Sequence, residues 1–82
     1  MKIDQVKKFV GQRVFARCRK SSGAGGIEFM IIGKLTKGTE SNCDFVITND
    51  TNDGKVTFDA WRVQTITIDC SKPLPVFEIK VS

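Results

Sequence analysis

The chain contains no histidine, and its three cysteines (Cys18, Cys43 and Cys70) are too far apart to form a CxxC pair. These absences exclude much chemistry. A zinc centre draws mainly on Cys and His, so no metal site is expected. General acid–base work usually recruits His, and a cysteine nucleophile needs a base beside it. No such base is present, so neither enzyme activity nor a cofactor is expected. Asp59 and Asp69 are isolated carboxylates on β patterns and read as solvated groups. The opening MKIDQVKKFV lacks the apolar stretch of a secretory leader. No run approaches about 18 apolar residues, so no membrane span is expected. Reduced thiols in a cytoplasmic protein are the simplest reading of the odd cysteine set, with Cys18 and Cys43 as small core residues.

What is present suits one small folded domain covering residues 1–82. A chain of this size buries only about 60–65% of the surface its unfolded form exposes, which makes association with further copies attractive. Lysine and arginine outnumber aspartate and glutamate by 13 to 9, a mild lean toward acidic partners such as nucleic acid. Much of that charge lies early, at Lys7, Lys8, Arg13, Arg17, Arg19 and Lys20.

Periodicity gives the elements. Ile3, Val6, Phe9 and Val10 recur at helical spacing, Asp4 suits the first turn, and Gly11 is placed to end the helix. Residues 13–20 alternate, with Val14, Ala16 and Cys18 on one face and Phe15, Arg17 and Arg19 on the other. The segment SSGAGG reads as a hairpin connection. It lacks the Lys-Ser/Thr ending of a phosphate-binding loop and leads into a strand. Residues 27–35 form a long apolar strand in which Gly33 marks a bend or a close backbone approach. Residues 43–48 make a further strand. An Asn-Asp-Gly turn within residues 49–54 precedes an alternating run, 55–62, with Val56, Phe58 and Ala60 on one face. Residues 64–69 and 76–82 supply two more strands, the last an added edge strand after a proline-punctuated link. Short connections imply a mainly antiparallel sheet, strongly bent or closed as a small barrel, with the helix capping one end.

The order of these elements resembles the Sm-like (LSm) family. VKKFVGQRVFARCRK resembles its opening helix, glycine and basic first strand, and IIGKL its bent second strand. CDFVITND resembles its third strand, and WRVQTITI its second motif. The resemblance covers residues 3–69, leaving 70–82 as a C-terminal extension. It implies an SH3-like barrel whose copies join into a homo-oligomeric ring through their edge strands, with two loops meeting at the pore to hold a base of single-stranded RNA. Carried onto this chain, Arg62 matches the family's base-binding Arg. Asp44 stands where the family has Asn, Asn42 near the stacking position, and Val63 where a Gly follows the Arg. Lys37 is a nearby charge, and Arg17 and Arg19 are backbone contacts.

Trp61 has two readings, a base-stacking group or an apolar anchor at a subunit contact. The second groups it with Phe58, Ile66 and Ile68 at the interface. Two functions remain open: an RNA-binding ring, or a structural or protein-interaction module, phage-type or accessory, that uses the same fold without RNA. The departures at Asp44 and Asn42 and the added C-terminal strand favour the second.

Overall fold

The computed structural model describes residues 2–22, 25–38 and 43–81. In chain order they form α1 (Ile3–Lys7), β1 (Arg13–Ser22), β2 (Gly25–Lys37), β3 (Phe45–Asn49) and β4 (Lys55–Phe58). A 3-10 turn η1 (Ala60–Arg62), β5 (Val63–Thr67) and β6 (Val76–Lys80) complete the chain. The six strands make one mixed sheet in the order β4-β3-β2-β1-β6-β5. Every pairing among the described residues is antiparallel except that of β1 with β6.

The alternation in the first strand sorts as expected. Val14, Ala16 and Cys18 are fully buried, while Arg13, Arg17 and Arg19 are exposed. Ile31 and Leu35 of β2, Phe45 and Ile47 of β3, Phe58 of β4 and Phe77 and Ile79 of β6 complete the inner face. The helix is shorter than its periodicity suggests. α1 stops at Lys7, and the chain continues through tighter turns in which Phe9 N donates to Val6 O and Val10 N to Lys7 O. Val6 enters the core, and Phe9 meets Phe77 edge to face, with ring centroids 5.4 Å apart.

Gly11 has the positive φ expected of it, +93°, but a different role. Its amide donates to Leu35 O while Leu35 N donates to Gln12 O. That pattern is a glycine-led β-bulge at the start of β1 and not a helix cap. Gly33 is the close approach that its place in the strand implied. It is buried opposite Asn49, and a Cβ there would overlap the Thr48 carbonyl.

β4 and β5 are the outermost strands. Five strand spacings separate them, about 24 Å in a flat sheet. Residues 59–62 alone join Phe58 to Val63, and that link spans at most about 18 Å. The sheet must therefore curl, although its two borders do not pair and it stays open.

Two expectations need correction. The run 55–62 is a strand only to Phe58, and Ala60–Arg62 turns, with Arg62 N donating to Asp59 O. The C-terminal strand is not at an edge. β6 lies between β1 and β5, its parallel ladder with β1 bracketed by Phe15 N to Pro75 O and Val81 N to Arg19 O. Phe77 and Ile79 are almost wholly buried there. No helix among the described residues is long and apolar enough to cross a membrane.

Candidate functional site

The two loops singled out in the sequence meet around η1. Asp44, in the link from β2 to β3, accepts a hydrogen bond at 3.0 Å from the amide of Ala60. Gly38 N donates to Asp44 O across the neck of the same link. The carboxylate thus satisfies a turn amide that would otherwise lack a partner. Two residues on from Ala60, the Arg62 guanidinium carbon stands 4.4 Å from the centroid of the Trp61 ring. Trp61 remains 66% exposed, so the indole is both polarised by a cation and open to solvent.

Arg62 also reaches across the sheet. Its Nη1 donates to Lys80 O at 3.3 Å, a long bond that sets direction more than strength. Lys80 is registered against Arg19 on β1. Arg19, Lys80 and Arg62 are thereby gathered at one end of β1 and β6, and none of them is in an ion pair among the described residues. Sequence reasoning placed Arg19 and Arg62 on its list but missed Lys80. The only signal available was its polar phase in the final alternating run. Its position became meaningful once β6 was inserted beside β1.

The structure does not bring every expected residue to this place. Arg17 is held between two carboxylates, 2.8 Å from Glu28 on β2 and 3.6 Å from Glu78 on β6. Its charge is compensated locally by these two carboxylates. Lys37 is exposed at the end of β2 and lines a shallow groove of about 190 Å³ with Thr36, Cys43, Val46, Lys55 and Thr57. Asn42 lies outside the described residues.

No family model, curated protein or solved structure matches the chain.

The expected interface group divides in the same way. Phe58 is 2% exposed and packs on Phe45 with ring centroids 5.8 Å apart, so it belongs to the core and cannot face a neighbouring copy. Ile66 is half-buried against the core, because a bulge between Val63 and Thr65 turns it toward Phe77. Ile68 is 73% exposed beyond the end of β5, beside a groove shared with Gln5, Lys8 and Phe9. Trp61 and Ile68 are thus the two large apolar side chains at the β5 border that are fully available.

Proposed function

We propose that this chain is a non-enzymatic, Sm-like assembly module. Copies join with β4 of one beside β5 of the next, and the joined edges present Trp61, Arg62, Arg19 and Lys80 to single-stranded RNA. The observation that carries this reading is the meeting of three features at η1. The sheet is curled but open, its two unpaired borders converge there, and the turn between them bears an exposed indole under a guanidinium. Pairing of borders removes open strand edges, and a head-to-tail contact repeated around an axis closes. An exposed aromatic beside unpaired cations is the combination that binds a single strand, by stacking on bases and attracting phosphates. Insertion of β6 leaves β5 as the border strand, so the added C-terminal strand does not block the edge this assembly uses.

The second reading, a protein-interaction module that ignores RNA, is favoured by a specific pair of observations. Asp44 is committed to Ala60 and Arg17 to its two glutamates, so two of the six expected contacts serve the fold. Titration with oligo(U) and oligo(A) at two salt concentrations separates the readings. Trp61 is the only tryptophan, so its fluorescence reports the site directly. RNA binding predicts quenching that weakens with salt, by a slope of about 0.7 per phosphate neutralised. An unchanged signal at low salt supports the interaction module.

A further inference from the structure

β3 covers only the second half of β2. Its register runs from Gly33↔Asn49 to Lys37↔Phe45. β1 flanks β2 on the other side from Lys34 back to Gly25. Beyond Gly33 the β3 side of β2 therefore has no strand among the described residues. The last bond on that side is Asp50 N to Ile32 O. Since backbone groups alternate in direction with a period of two, the N–H and C=O of Met30 and Glu28 face the same way as the Ile32 carbonyl. This is a third open edge, separate from β4 and β5.

Its side chains are also uncovered. Ile27, Phe29, Met30 and Ile32 are 57, 38, 64 and 38% exposed, with apolar groups on both faces. Open edges of soluble proteins are normally protected by lysine, proline or a bulge. The stretch 26–32, GIEFMII, has no lysine and no proline. Its one charge, Glu28, is already paired with Arg17.

We infer that this edge binds a second copy of itself, β2 against β2 in antiparallel register about a two-fold axis at Phe29. Charge and register select this occupant. The edge is electrically neutral once Arg17 is counted, so two copies do not repel. An axis at Glu28 would set two carboxylates directly opposite, which disfavours it. An axis at Met30 would set Glu28 of the second copy against the Ile32 carbonyl, which Asp50 already uses, leaving only the Met30 pair; with the axis at Phe29 two bonded pairs form before the second strand reaches that position at Gly26, where it turns away from β3. With the axis at Phe29, Glu28 of one copy exchanges backbone bonds with Met30 of the other. The two Phe29 rings then face each other across a close, non-hydrogen-bonded pair, and Ile27 meets Ile31. The exposed Met30 and Ile32 and the half-buried Phe15 on the outer face continue the contact beyond the strands.

The register makes the test specific. In a background of Cys43→Ser and Cys70→Ser, Phe29→Cys places two thiols on α-carbons about 4.5 Å apart, within reach of a disulfide. Ile27→Cys places them four residues out of register, about 14 Å apart. Mild oxidation should convert Phe29→Cys to a covalent dimer at least tenfold faster than Ile27→Cys. Far-UV circular dichroism establishes that each variant is folded. Met30→Pro removes an amide that faces the open edge, and it should lower self-association without loss of β signal. Thr57→Pro, on the β4 border, should leave the Phe29→Cys cross-link intact, which separates this contact from the ring. Equal rates at the two positions, or no cross-link at Phe29→Cys, overturns the inference. Should Phe29→Cys fail to fold, self-association of Met30→Pro equal to that of the unmodified chain overturns it too.

Discussion

The Asp44 carboxylate is bonded to the Ala60 amide at 3.0 Å, which ties the β2–β3 link to the turn between the sheet's two borders. A residue that reads as part of a ligand pocket is therefore a structural cap. Asp44→Ala leaves the Ala60 amide without its partner and should destabilise the fold by about 1–2 kcal/mol. Asp44→Asn keeps an acceptor oxygen and should stay within about 0.5 kcal/mol of the original chain, at the low end for cap changes. Removing the negative charge bonded to the turn that carries Arg62 should also strengthen RNA binding a few-fold. Urea denaturation and oligo(U) titration of the two variants check both statements.

Trp61 and Arg62 are expected to matter for binding and little for stability. Trp61→Phe keeps a smaller stacking face, whereas Trp61→Ala removes it. Loss of one stacked base contact is worth about 1–3 kcal/mol, roughly a 5- to 150-fold weakening. Arg62→Ala should weaken binding and reduce its salt dependence, and Arg17→Ala should leave RNA affinity within about twofold because that charge is already neutralised by glutamates. Fluorescence anisotropy with labelled oligo(U) measures all of these, including Trp61→Ala, where intrinsic fluorescence is lost.

Gly33→Ala should be among the most damaging single changes in the chain. The new Cβ would meet the Thr48 backbone, which cannot move without parting β2 from β3. A destabilisation of about 3 kcal/mol or more is expected, at the upper end for overpacking. Thermal melts followed by circular dichroism would show it. A melting temperature within a few degrees of the original would contradict the close approach assigned to Gly33.

Cys18 is fully buried, and loss of hydration pushes its thiol up to about 11 from an ordinary value of 9.0. The native state thus prefers the neutral thiol. The stability this gives is present in full below pH 9 and is lost as pH rises toward 11. At about 1.4 kcal/mol per unit, the lead of the original chain over Cys18→Ala should shrink by about 2–3 kcal/mol across that window. Urea denaturation of both proteins at pH 8 and pH 10.5 tests the sign, since lysine titration is common to both. Cys70, being exposed, should react with iodoacetamide in the native protein while Cys18 does not.

The strands with one buried face were legible because a two-residue period leaves only one way to place Val14, Ala16 and Cys18 inward. The Asn-Asp-Gly turn was legible from its chemistry, and it folds with Thr51 N donating to Asn49 Oδ1, Gly54 N to Asn52 Oδ1, and Asp53 at a φ of 58°. Pairing order was not legible. Alternating Phe77 and Ile79 show that the last strand buries one face, but not that it lies between β1 and β5. That choice depends on how far the sheet curls, a property of the whole chain. The same gap hid Lys80, whose neighbours Arg19 and Arg62 are distant in sequence. Arg17 misled for a similar reason: its compensating charges, Glu28 and Glu78, come from two other strands. Ala60–Arg62 continued an alternating pattern that the need to join two borders by a short link overrode.

Light scattering of the purified chain, compared with Thr57→Pro, tests edge-to-edge assembly most directly. The bond from Asn49 N to Gly54 O sets the alternation along β4, and it turns the Thr57 amide to the open border. Proline there removes that donor and no bond within the fold. The account predicts a discrete particle several times the 9.1 kDa of one chain, reduced to a smaller species by Thr57→Pro with β structure retained. A single-chain mass at every concentration, or a mass unchanged by Thr57→Pro, would contradict it.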